Sequence, residues 1–143
     1  MKTVQFTLQS TGRSQLIDIT ARVQEMVTAS GIREGLCTVF IPHTTAAVTI
    51  NEDADPDVIR DFLYELDKIV PWQDGYRHME GNSAAHLKSS LIGVSEQIII
   101  ENSRLMLGTW QGIYFCEFDG PRTRRVLVRI DSSDFSIGKT TAS

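Results

Sequence analysis

Residues 111–131 read Gln111-Gly112-Ile113-Tyr114-Phe115-Cys116-Glu117-Phe118, then Asp119-Gly120-Pro121-Arg122, then Thr123-Arg124-Arg125-Val126-Leu127-Val128-Arg129-Ile130-Asp131. Two apolar runs of strand length around a Gly-Pro turn predict a hairpin of strands 111–118 and 124–131. In the second strand parity sets Arg125 and Arg129 on one face and Val126, Val128 and Ile130 on the other. Outward from this pair, 97–101 reads as a third closing strand. Nearer the N-terminus, 36–41 is a strong strand and 46–50 another. The opening segment 4–9 has period two, and 15–19, after Thr11-Gly12-Arg13, completes a hairpin with it.

Three helices fit between these strands. Thr20 looks like an N-cap for a helix with Val23, Met26 and Val27 on one stripe, stopped by Gly31. Asp55-Pro56 puts a capping acid before a proline at the first helical position, and Ile59, Phe62, Leu63 and Leu66 form the stripe up to Pro71. Gly81-Asn82-Ser83 should open a short helix carrying residues 84–91. The order is ββαββααβββ. It predicts an α+β fold: an antiparallel β-sandwich, jelly-roll-like, of two packed sheets with flanking helices.

A chain of 143 residues suits a single domain, here with a short polar tail from about residue 132. It is too short for a (β/α)8 barrel. Hydrophobic residues at 41% and charged ones at 22% exclude a disordered chain. A net charge of −4 argues against a nucleic-acid partner. No apolar run approaches the roughly 20 residues that span a bilayer, so no membrane partner is expected. The first residues alternate polar and apolar, unlike a signal peptide. Cys37 and Cys116 both fall in apolar strands, which reads as buried, reduced thiols of a cytoplasmic protein.

The residues with chemistry form three groups. His43 lies in Pro42-His43-Thr44-Thr45, His78 in Tyr76-Arg77-His78-Met79-Glu80-Gly81-Asn82, and His86 one turn into the third helix. Three histidines with an open position make a catalytic zinc site, yet no His-x3-His pair is present and Gly81 interrupts the register. Three unrelated, hydrogen-bonded histidines fit the spacing as well. The second group is Glu52-Asp53-Ala54-Asp55-Pro56-Asp57. It is not an EF-hand, because Val58 and Tyr64 stand where that loop needs glycine and glutamate. Asp55 is explained as a cap, whereas Glu52 and Asp53 precede it and suit Mg²⁺. The third group is Gly108-Thr109-Trp110-Gln111-Gly112 with the arginines Arg122, Arg124, Arg125 and Arg129. Flanking glycines suggest tight turns or close backbone approach to a ligand. The arginines suit phosphate or carboxylate, or the acid-rich 51–67 segment in the same or a neighbouring subunit.

Three blocks together resemble the YjbQ family, small proteins associated with a secondary thiamine-phosphate synthase activity. They are Pro42-His43-Thr44-Thr45-Ala46-Ala47 running to Asn51-Glu52-Asp53, His78-x-Glu80-Gly81-Asn82-Ser83-Ala84-Ala85-His86, and Gly108-Thr109-Trp110-Gln111-Gly112 running to Asp119-Gly120-Pro121-Arg122. The resemblance implies a compact β-sandwich with helices, assembled as a homotrimer. It implies an activity joining hydroxymethylpyrimidine diphosphate to a thiazole phosphate, giving thiamine phosphate and pyrophosphate. His43, His78, His86 and Arg122 are then the catalytic candidates, and Thr44, Thr45, Asn82, Gln111 and Asp119 the substrate contacts. A divalent metal, zinc or magnesium, would fall to His43, His78, His86, Glu52, Asp53 and Asp55. The partner implied is a small anionic metabolite. Alternatives are a metal-dependent hydrolase of a phosphorylated or acyl metabolite, and a trimeric small-ligand-binding protein.

Overall fold

The strand Gln111–Glu117 is buried from Gly112 onward, on both faces, which only an inner layer allows. In chain order the elements are β1 (Lys2–Gln9), β2 (Gln15–Asp18), α1 (Thr20–Ser30), β3 (Gly35–Phe40), β4 (Ala46–Glu52) and α2 (Pro56–Ile69). They continue with α3 (Ser83–Ile92), β5 (Ser95–Glu101), β6 (Arg104–Leu105), β7 (Gln111–Glu117) and β8 (Thr123–Ser132). This computed structural model describes residues 2–133, so most of the polar tail lies outside the described residues. The fold is α+β with two antiparallel sheets, one of order β1-β8-β3-β5-β6 and one of order β2-β7-β4.

Neither expected hairpin forms. β1 pairs with β8 along its whole length, from Lys2 opposite Ile130 to Gln9 opposite Thr123, while β2 pairs with β7 in the other sheet. β7 and β8 likewise lie in different sheets. Their turn residues encode a chain reversal and carry no information on which ladder the next strand joins. The two crossings are tied together: Ser10 N–H donates to Arg122 O at 3.1 Å, and Gly120 N–H to Arg13 O at 3.1 Å. β6 is a strand beyond the expected ten elements. It follows a turn through Asn102 and Ser103, with φ of 52° and 63°, and the absence of glycine there hid it in the sequence.

The caps explain the helix limits. Asp55 Oδ1 accepts the Asp57 N–H at 2.9 Å ahead of Pro56. At α1 the cap differs from expectation: the N-cap position is Ile19, without a side-chain cap bond, and Thr20 opens the helix, its N–H donating to Asp18 Oδ1 at 2.9 Å and its Oγ1 accepting the Ile113 N–H. Gly31 closes that helix with φ 73°.

One core cluster draws on both sheets and α1, through Phe6, Val39, Val126, Val128, Val48, Ile113, Phe115, Val23 and Val27. A second holds Ala47, Cys116 and Phe118 against Leu66 of α2 and Ala85 of α3. β7 therefore alternates Phe115 into one cluster and Cys116 into the other, and each buried side chain of this size contributes about 1.5–3 kcal/mol. Cys37 and Cys116 are free and buried, and burial pushes the Cys37 thiol up to about 11. Among the described residues no helix is long and apolar enough to cross a membrane.

Candidate functional site

His43 sits on the crossing from β3 to β4, where the chain passes from the larger sheet to the smaller. The crossing is anchored at one end by Ile41 N–H donating to Val94 O, 2.8 Å, and at the other by Phe118 N–H donating to Thr45 O, 3.2 Å. From there the imidazole reaches β8, and its Nε2 accepts the Arg125 backbone N–H at 2.9 Å. A nitrogen that accepts carries no proton, so the neutral ring is the Nδ1–H tautomer. Burial, then the charges of Arg124 and Arg125, lower the His43 pKa from 6.5, against opposing contributions from Glu117 and the Arg125 N–H. His43, when neutral, thus carries its proton on Nδ1.

His86 stands in the first turn of α3, and that helix is bolted to β4 by Ser89 Oγ donating to Ala46 O at 2.6 Å. His78 precedes the helix in a turn closed by Gly81 N–H donating to His78 O, 3.1 Å. Gly81 has φ 77°, a conformation that glycine adopts without a Cβ clash. The turn folds His78 back so that its ring meets that of His86 edge to face, centroids 5.2 Å apart. The glycine that breaks the helical register is what joins the two histidines.

A cavity of about 420 Å³ is lined by all three histidines together with Thr44, Thr45, Asn82 and Arg122. Glu80 and Arg124 complete its polar wall; Arg124 is one of the four arginines singled out in the sequence, whereas Glu80 is given no role there. Asp119 organises one side: its Oδ2 accepts from Arg122 Nη2 at 3.1 Å and from Asn82 Nδ2 at 2.8 Å. That contact fixes the Asn82 amide, whose Oδ1 is buried with no hydrogen-bond partner among the described residues. Arg124 is itself buried and paired with Glu117, and it also donates to Thr45 Oγ1 at 2.8 Å. Burial raises the Glu117 carboxyl, but hydrogen bonds from Arg124, Ser10 and the Asp119 N–H outweigh it and hold the pKa below 4.5. Parity offered a signal for Arg124, which shares the inward face of β8 with Val126, Val128 and Ile130.

The acids do not join the histidines. Asp55 is a helix cap, and Asp53 packs against Gly112, where a Cβ would lie 2.8 Å from the Asp53 Cβ. The close approach that Gly112 permits is to this carboxylate. Glu52 ends β4, and the seven-residue strand holds it about 20 Å from the start of β4 beside the cavity. Gln111 is also elsewhere, its Oε1 accepting the Gly108 N–H at 2.8 Å to close a turn. Arg122 and Arg124 pair with Asp119 and Glu117, not with the acid-rich 51–67 segment. Among the described residues no group of three or more His, Cys, Asp and Glu side chains is placed to hold a metal ion. Nε2 of His43, as placed, is engaged by the Arg125 backbone N–H.

A family model described as UPF0047 protein YjbQ-like matches residues 4–133. The chain belongs to the YjbQ-like UPF0047 family. The UPF0047 protein YugU of Bacillus subtilis is 53% identical over 131 residues, covering 91% of this chain and 98% of that protein. A YjbQ/UPF0047 family crystal structure from Clostridium acetobutylicum is 57% identical with a TM-score of 0.88, covering 90% of this chain and 99% of that one. A structure from Sulfolobus solfataricus P2 reaches TM-score 0.89 at 30% identity, covering 92% and 97%. All three sequence blocks lie inside the YjbQ-like match.

Proposed function

We propose that this YjbQ-like protein binds the phosphate groups of small metabolites and catalyses transfer with release of pyrophosphate, of the secondary thiamine-phosphate synthase kind. The supporting observation is the single cavity in which His43, His78, His86 and Arg122 meet. Release of a diphosphate develops negative charge on the leaving oxygen, and preorganised donors stabilise it. Arg122 brings five N–H donors, and its contact with Asp119 aims the guanidinium while using one of them. His43 adds a donor that stays neutral and so needs no proton from solvent. The buried Asn82 Oδ1 is an acceptor for a donor on the incoming molecule. Magnesium enters as the counter-ion of the diphosphate substrate, which is its usual partner.

The assembly is proposed to be a homotrimer. Leu36, Phe40 and Ile99 leave 41%, 41% and 56% of their surface exposed on adjacent strands of the larger sheet, an apolar area suited to a neighbouring subunit. The decisive experiment incubates the protein with hydroxymethylpyrimidine diphosphate, thiazole phosphate and Mg²⁺, and measures thiamine phosphate and pyrophosphate. Both products are expected in equal amounts. Diphosphate breakdown without thiamine phosphate would make the protein a hydrolase, and phosphate binding without turnover would make it a binding protein.

A further inference from the structure

A cavity of about 480 Å³ lies between the start of α1 and β6, and it shares no residue with the cavity that holds the histidines. One wall is Asp18, at the end of β2. Its Oδ1 accepts the Thr20 N–H at 2.9 Å and the Thr20 Oγ1–H at 2.6 Å, while Oδ2 accepts no hydrogen bond among the described residues. A second wall is Arg104 of β6, which is exposed and whose guanidinium has no hydrogen-bond or ion-pair partner among the described residues. The walls are fixed. Gln24 of α1 donates from Nε2 to Ser103 O and accepts the Leu105 N–H on Oε1, both at 3.0 Å, so one side chain bolts the helix to β6. Thr20 Oγ1 accepts the Ile113 N–H at 2.8 Å, which ties the Asp18 side to β7.

Two opposite charges therefore share one preformed cavity without pairing to each other. A ligand of a single sign is attracted by one and repelled by the other, whereas a zwitterion satisfies both. A carboxylate matches the guanidinium fork, and an ammonium matches the free Asp18 oxygen. Ala21, Leu105 and Leu107 add apolar surface, which favours a ligand that also carries a hydrocarbon group.

We propose that this cavity binds an α-amino acid with an aliphatic side chain. The carboxylate lies on Arg104, the ammonium on Asp18 Oδ2, and the side chain against Ala21, Leu105 and Leu107. The Leu107 N–H has no hydrogen-bond partner among the described residues and adds a donor on the carboxylate side. Volume is ample, because a cavity of about 150 Å³ accommodates benzene. The site is separate from the phosphate chemistry proposed above.

The test titrates L-leucine calorimetrically into the full-length protein, beside two probes that each lack one charge, L-leucinamide and 4-methylpentanoate. Leucine should bind, and each single-charge probe should bind about tenfold more weakly or worse, the loss of one charge-assisted hydrogen bond. Glycine, which has no side chain, should also bind more weakly than leucine. Arg104→Gln should weaken leucine by about tenfold or more, and so should Asp18→Asn, which keeps an oxygen for Thr20. Both positions are exposed, and an unchanged circular dichroism spectrum checks the fold of each variant. Arg122→Ala should leave leucine affinity within about twofold, because Arg122 lines the other cavity. The site is overturned if leucine gives no binding up to about 10 mM, well above the millimolar range of the weakest specific ligands. It is equally overturned if glycine or a single-charge probe binds as tightly as leucine, or if either charge variant binds leucine like the parent. Loss of leucine binding in Arg122→Ala would place the ligand with the histidines and refute the separate site.

Discussion

The backbone N–H of Arg125 donates to Nε2 of His43 across 2.9 Å, joining a crossing between the sheets to the strand that carries the arginines. The ring is held neutral, with its proton on Nδ1. Nitrogen-15 NMR should show an unprotonated Nε2 and a titration midpoint below 6.5. The folded pKa is depressed, so the unfolded chain takes up the proton first. Stability from this residue is complete above about pH 6.5 and is lost as pH falls towards the folded value. An Nε2–H tautomer at neutral pH would refute the assignment.

Arg124 and Glu117 form a pair that is 3% and 0% exposed. Glu117→Gln leaves a buried guanidinium without its counter-charge and should cost about 3–5 kcal/mol in urea denaturation. The Glu117 pKa is lowered, so the pair's contribution is present above about pH 4.5 and disappears as pH falls through the folded value. A cost under 1 kcal/mol would show that water reaches the pair.

Arg122→Ala should lower turnover by about 10²-fold in the thiamine phosphate assay, the usual effect of removing one electrostatic donor. Arg129, which meets Asp131 well along β8, serves as the comparison, and Arg129→Ala should keep parental turnover. Equal rates in Arg122→Ala and the parent would remove Arg122 from the chemistry.

Gly81→Ala puts a Cβ on a residue with φ 77°, and should cost about 1–2 kcal/mol if the turn is kept. The larger consequence is for His78, whose position depends on that turn. The His78–His86 ring contact should be lost, seen as a change in the imidazole proton shifts of both. Unchanged shifts would mean that the turn is not what positions His78.

Asp55→Ala should cost about 1 kcal/mol by removing the cap of α2. Phosphate affinity should stay within twofold, because Asp55 is not part of the histidine cavity. A tenfold loss of phosphate binding would return this acid to the site.

Local chemistry made much of the chain legible. The strand at 124–131 and the caps at Asp55 and Gly31 follow from side-chain alternation and from which residues satisfy helix ends, both set within a few neighbours. The β6 turn escaped because Asn102 and Ser103 take left-handed conformations without a glycine to signal them. Arg124 was visible as a residue in an inward-facing register, but its partner Glu117 belongs to a strand of the other sheet.

The sequence by itself determined the family blocks, the kinds of element and the residue types available for phosphate chemistry, because these depend on short-range pattern. Tertiary structure alone decided which of them meet. Strand pairing across long sequence separation sent β1 to β8 and β2 to β7, so apparent hairpins became crossings between sheets. It brought His43 to Arg125 and gathered three histidines with Arg122, while the extended β4 held Glu52 about 20 Å away. Turn residues specify that a chain reverses; burial of both faces of β7 selects where it goes next.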